Sequence, residues 1–157
     1  MEGPILTGSA FNDVLIGTIS DDVLSGGDGH DIIRSGPGSD ELTGGGGMDI
    51  FKWVSGDLDN GSVDTIMDFQ TGLVGDTLDV TGLVTVIDWL SEAASDPIPA
   101  PETVVENFLR LDEDNNGSTK VSIDVSGTAT NFVEFVVLQG LTGLSLQTLL
   151  ADGNVMI

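Results

Sequence analysis

The sequence has no cysteine, no tyrosine, a single histidine, and four basic residues against 26 acidic ones. Without cysteine there are no disulfides and no thiolate metal sites. A formal net charge of −22 repels phosphate backbones and anionic headgroups, which argues against nucleic acid and membrane surfaces as partners. His30 alone cannot build a histidine-rich zinc centre, and neither H-E-x-x-H nor G-x-S-x-G occurs. The chain therefore reads as a non-enzyme. No apolar run approaches a membrane span, and no basic segment followed by an apolar stretch opens the chain as a signal peptide would. Met1-Glu2-Gly3-Pro4 leads almost at once into patterned sequence, which points to a piece of something longer. Acid-rich chains poor in aromatics can be disordered. Here 39% of residues are hydrophobic and they fall in strand-like patterns, so the acid coexists with a fold, and bound cations would relieve its repulsion.

What is present is a period of nine. From Gly8 the chain reads GSAFNDVLI, GTISDDVLS, GGDGHDIIR, SGPGSDELT and GGGGMDIFK. Place six is always aspartate (Asp13, Asp22, Asp31, Asp40, Asp49), and place eight is always large and apolar (Leu15, Leu24, Ile33, Leu42, Phe51). The last three places predict a short strand with place eight inward and places seven and nine outward. The first six predict a glycine-rich turn in which carbonyl oxygens converge. If two nines make one coil, alternate nines stack. Asp13, Asp31 and Asp49 then form one column, and Asp22 and Asp40 the other. Successive carboxylates with four turn carbonyls offer about six hard oxygens, which suits Ca²⁺ better than Mg²⁺. His30 takes a variable turn place and reads as solvent-facing.

The pattern resembles G-G-x-G-x-D-x-U-x, the calcium-binding repeat of RTX (repeats-in-toxin) proteins. The resemblance implies a right-handed parallel β-roll in which the earlier turn supplies carbonyls at places two and four plus its aspartate. The later turn supplies places one and three plus its own. Carried onto this sequence, one site is Gly27, Gly29 and Asp31 with Gly44, Gly46 and Asp49. A second is Ser9, Phe11 and Asp13 with Gly26, Asp28 and Asp31. A third is Thr18, Ser20 and Asp22 with Ser35, Pro37 and Asp40. Gly36, Gly38, Gly45 and Gly47 are further candidates at places two and four. Phe11 and Ser20 stand where later nines have glycine, so the first sites are expected to be weaker.

Beyond the nines, Asp64-Thr65-Ile66-Met67-Asp68-Phe69 and Asp76-Thr77-Leu78-Asp79-Val80 resemble the stretch that follows RTX rolls. The resemblance implies two more strands, with Asp64 closing the last calcium site against Asp40 or Asp49, or else capping turn amides. Ser95 to Pro101 reads as a loop and Pro101-Glu102-Thr103 as a helix start. Leu109–Leu111 and Val121–Val125 read as paired strands around Asp112–Gly117. That turn opens like a calcium loop but carries Ile123 where a bidentate glutamate would stand, so a hairpin is favoured. The tail predicts a core strand over Phe132–Leu138, a short helix and an edge strand. It also resembles the C-terminal signal of type I secretion substrates.

The fold expected is all-β: a calcium β-roll over residues 8–83, then a β-rich C-terminal region over 84–157 with one or two short helices. The resemblance implies a calcium-binding module secreted or displayed by a Gram-negative bacterium, monomeric within a longer chain, with calcium and the type I secretion machinery as partners. Its ending resembles that of a large RTX adhesin. The alternatives are the export region of a secreted RTX protease or lipase, and a calcium-dependent sugar-binding module with Trp53 and Trp89 as stacking platforms. The export tail from Leu141 onward is expected to be separable from the calcium-dependent folding of 8–83.

Overall fold

A computed structural model describes residues 1–58, 61–83, 108–124 and 130–157. The nines fold as the period requires. Odd and even strands separate into two parallel sheets, because each coil contributes one strand to each. The first sheet takes β1 (Glu2–Thr7), β3 (Asp21–Asp28), β5 (Glu41–Gly46) and β7 (Asp64–Ile66) in that order. The second takes β2 (Val14–Ile16), β4 (Ile32–Arg34), β6 (Ile50–Val54) and β8 (Thr77–Gly82). Leu24 pairs with Leu42 and Leu15 with Ile33, so the place-eight residues stack in register. Leu15, Leu24, Ile33, Leu42 and Phe51 are all buried between the sheets, while place seven faces out at Val14, Val23, Ile32 and Glu41.

Two features go beyond the nine-residue pattern. Strands β2 and β4 end with the nine as expected, whereas β3 and β5 run on into the turn, because the ladder continues through Gly27↔Gly45 and Asp28↔Gly46. The coil also lengthens. Asp13 lies 18 residues before its partner Asp31, but Asp40 lies 24 before Asp64 and Asp49 lies 27 before Asp76. The additional residues lie in the connections, while Ile66, Phe69, Leu78 and Val80 keep their inward positions.

The C-terminal strands continue both sheets. β11 (Val133–Leu138) adds parallel to β7 and is followed by β10 (Thr119–Ile123) and β9 (Leu109–Glu113), both antiparallel. β12 (Val155–Met156) adds parallel to β8. The expected hairpin is present: Asp114 Oδ1 accepts from the Asn116 and Ser118 amides, and Gly117 has φ 80°. The expected short helix is α1 (Leu146–Ala151), capped by Ser145, whose hydroxyl accepts from Thr148 N–H at 3.1 Å. The helix start at 101–103, the loop at 95–101, Trp89 and Val125 lie outside the described residues.

One core spans all of this. Trp53 and Phe69 from the roll pack with Leu109, Val121, Ile123, Phe135, Leu149 and Val155 from the C-terminal region, and Trp53 meets Phe135 edge-on with centroids 5.2 Å apart. The tail beyond Leu141 is therefore part of the packing of the roll, contrary to the expectation that it could be removed without touching the calcium-dependent fold. Leu149 and Val155 are buried in that core, and Asn154 is tied into the last turn of the roll.

Candidate metal centre

Stacking places the aspartates in two ladders. The Asp13 amide donates to Asp31 Oδ1 at 2.8 Å, Asp31 to Asp49 Oδ1 at 2.9 Å and Asp49 to Asp76 Oδ1 at 3.0 Å. In the other column Asp22 donates to Asp40 Oδ1 at 2.7 Å, and Asp40 to Asp64 Oδ1 at 3.0 Å. Asp64 thus closes the Asp22–Asp40 column and not that of Asp49. The end of the Asp13–Asp31–Asp49 column, Asp76, was missed in the sequence. Its signal was the same aspartate-x-apolar triplet, Asp76-Thr77-Leu78, displaced by the longer coil.

In the middle of these ladders, at Asp31, Asp40 and Asp49, Oδ1 is engaged and Oδ2 is what matters for chemistry. Asp31, Asp40 and Asp49 are at most 2% exposed. Among the described residues, their Oδ2 atoms are the buried side-chain oxygens or nitrogens with no hydrogen-bond partner. Native proteins rarely leave a buried carboxylate oxygen unpaired, and buried charges are held by a charged partner or a metal ion. At Asp31 a main-chain oxygen converges on the same place. A β-carbon on Gly26 would fall 2.6 Å from Gly44 O and into Asp31 Oδ2, so the glycine leaves room where carboxylate and carbonyl oxygens meet. A β-carbon on Gly44 would fall 2.5 Å from Asp49 Oδ2. This set of hard oxygens, without nitrogen or sulfur, fits Ca²⁺. No three His, Asp or Glu side chains among the described residues converge on one point, so an ion here would rest on carboxylates with carbonyls.

Glycine is required at place two for a different reason from that at place one. Gly27 and Gly45 have φ of 105° and 99°, and a β-carbon on Gly45 would run into the Gly27 carbonyl of the coil ahead. Gly29, Gly36, Gly38 and Gly47 share the positive φ. Ser9, Phe11, Thr18 and Ser20 belong to the first coil, where no turn lies ahead, and side chains fit. Gly45→Ala is expected to lower the stability of the folded chain by several-fold more than Gly117→Ala, which shares the positive φ but meets nothing within 4 Å. Thermal melts of the two variants in calcium test this.

The remaining candidates fall as follows. Asp13 is half-buried and Asp22 buried, each with Oδ2 turned onto its own turn: Ser9 N–H donates to Asp13 at 2.6 Å and Thr18 N–H to Asp22 at 2.5 Å. Asp28 is exposed beside Gly46, and Pro37 is half-buried. Ser35 is buried, with its hydroxyl donating to Asp64 Oδ2 at 2.8 Å. Trp53 Nε1–H donates to the same oxygen at 2.8 Å. His30 is exposed, as expected, and its Nδ1 accepts from Met48 N–H. The sequence reading also missed Asp68, whose carboxylate accepts from the Gly44 and Gly45 amides at 2.9 and 2.8 Å and holds the last turn. It missed Asp57 too, buried against the Arg34 guanidinium.

Burial raises the carboxyls of Asp40 and Asp49 above the ordinary range, brings Asp76 to about 6, and brings Asp64 to about 7. The metal-free folded chain therefore binds more protons than the unfolded chain between about pH 4 and 7. Its stability is fullest toward the acid end of that window and is lost as pH rises through 6 and 7. Chelator-treated protein should retain more β-sheet signal at pH 5 than at pH 7.5. Equal signal at both, by circular dichroism, would contradict this electrostatic account.

No curated protein matches this sequence. The RTX calcium-binding nonapeptide repeat (4 copies) matches residues 7–42 and again 26–51. Among solved structures, the chain is similar to the AlgE6R2 subunit of the Azotobacter vinelandii mannuronan C5-epimerase, with TM-score 0.53 and 26% identity over 97% of this chain and 91% of that one. The AlgE6R3 subunit of the same enzyme gives TM-score 0.54 and 25% identity over 95% and 80%. Period, stacked aspartates and unpaired buried oxygens agree with these matches: the chain carries an RTX-type calcium-binding repeat region, folded as an all-β parallel roll.

Proposed function

We propose that the chain is a calcium-folded export module from the C-terminal end of a larger secreted or surface protein, read by a type I secretion system and folded by calcium outside the cell. The observation that carries the calcium half is the set of buried, unpaired oxygens on Asp31, Asp40 and Asp49. Cytosolic calcium lies far below the ~10⁻⁴ to 10⁻³ M dissociation constants of extracellular calcium modules. The chain would then remain unfolded inside, held open by its charge, and gain folding free energy from each ion only after export. Asp31 lies in the middle of its column and Asp13 at its start, so Asp31→Ala should lower calcium stoichiometry more than Asp13→Ala. Equal losses by calorimetry would break the register.

For the parent protein, the C-terminal resemblance favours a large adhesin. A second reading is favoured by the solved structures, which are subunits of a polysaccharide-modifying enzyme. Under it, this chain would be a non-catalytic repeat subunit that contacts glycan. The charges weigh against an anionic glycan, because Arg34, Lys52, Arg110 and Lys120 are each paired with an acid. Titrating the calcium-loaded chain with mannuronan oligosaccharides separates the two: saturable binding supports the enzyme subunit, and no heat of binding supports the adhesin end.

A further inference from the structure

Each carboxylate column has two ends, and the chain treats its ends differently from its middle. At the first coil, Asp13 Oδ2 accepts from the amide and hydroxyl of Ser9, and Asp22 Oδ2 from the amide and hydroxyl of Thr18. Ser9 and Thr18 hold place two, which is glycine in the later nines. A side chain is tolerated there because no turn stacks ahead, and its hydroxyl folds back onto the aspartate of the same nine. At the other end, Asp64 Oδ2 accepts from Trp53 Nε1–H and Ser35 Oγ–H, and Asp76 Oδ2 accepts from Gln70 N–H at 2.8 Å. Between the ends, Asp31, Asp40 and Asp49 have an Oδ2 that no protein donor reaches.

An oxygen already filled by N–H and O–H donors is a poor cation ligand, since the ion would have to displace them. At Asp64 the displaced donor would be the indole N–H of Trp53, which is 1% exposed and would have no water to turn to. Resting on the calcium reading above, we propose that these donors seal both ends of each column and fix the ion count at three, one for each unpaired oxygen of Asp31, Asp40 and Asp49. Trp53 and Ser35 are positioning residues. They hold Asp64 as a hydrogen-bonded terminus, and Trp53, seated on Phe135 of β11, couples that terminus to the C-terminal strands.

The test is native mass spectrometry of the full chain at saturating calcium, with calorimetry for affinities. The wild-type chain should hold three ions. Asp31→Asn, Asp40→Asn and Asp49→Asn should each lower the count, whereas Asp13→Asn, Asp64→Asn and Asp76→Asn should leave it at three. Trp53→Phe combined with Ser35→Ala keeps a ring against Phe135, frees Asp64 Oδ2, and should raise the count to four. A wild-type count other than three, or loss of an ion from Asp64→Asn, would overturn the proposal. If the double variant does not fold, those two measurements still decide. A chain that binds no calcium at all would instead overturn the calcium reading itself, so the two failures are distinguishable.

Discussion

With calcium removed at neutral pH, residues 8–83 are expected to lose most of their β-sheet signal, and calcium in the millimolar range to restore it cooperatively. The buried carboxylates of Asp31, Asp40 and Asp49 are the reason. Leaving a buried charge without its partner is worth roughly 3–5 kcal/mol. Three such groups rival the whole ~5–15 kcal/mol margin of a folded domain. The columns offer no internal relief, because Asp22 adjoins Asp40, and Asp31 adjoins Asp49. Each ion would neutralise carboxylate charge and supply the missing ligand at once, so metal binding and folding become one equilibrium. Identical circular dichroism spectra in excess chelator and in millimolar calcium would sink this account.

The second large effect is expected from removing the tail. A chain ending at Gly140 should fail to fold at calcium concentrations that fold the full chain, or need at least ten-fold more. The deletion takes Leu149 and Val155 out of the core and strips β12 from β8. Burial of one large apolar side chain contributes about 1.5–3 kcal/mol, and a ten-fold change corresponds to about 1.4 kcal/mol. It also removes Asn154, which is buried and bonds in three directions. Its Nδ2 donates to Asp76 O at 2.7 Å and to Gly72 O at 3.1 Å, and its Oδ1 accepts from Gly72 N–H. Asp76 is the end of a carboxylate column, so the tail fixes the residue on which that column closes.

If the tail also carries the export signal, truncation should abolish secretion as well, and the two losses need separating. Asn154→Ala leaves the rest of the terminus in place. It should shift the calcium midpoint of folding upward by several-fold while secretion by a type I system continues. A truncated chain that folds at the wild-type calcium midpoint would show that the core contacts of the tail are dispensable. Normal secretion of that truncated chain would remove the export half of the proposed function and leave the calcium half standing.

The sequence alone determined the repeat, the inward row of Leu15, Leu24, Ile33, Leu42 and Phe51, and the two aspartate columns. These follow from local periodicity: a strict nine with alternating side chains leaves one register that buries place eight and stacks place six. The hairpin over Asp114–Gly117 was legible for a similar reason, since Asn116-Gly117 and the flanking strands specify it within a few residues. What only the tertiary structure decided is how the columns end. Asp64 takes donors from Ser35 and Trp53, 29 and 11 residues earlier, and Asp76 is fixed by Asn154, 78 residues later. None of these three separations is a multiple of nine. The lengthening of the coil to 24 residues also shifts Asp64 out of the nine-residue frame, whereas Asp76, 27 residues or three nines after Asp49, stays in frame but is cut off from the run of aspartates by Leu58 and Met67 at place six. The tail read as a separate signal because its composition resembles one. Composition carries no information about which strand edge a segment will cover, and the edge of β8 takes β12 because the last coil of the roll leaves its ladder and Leu78 open there.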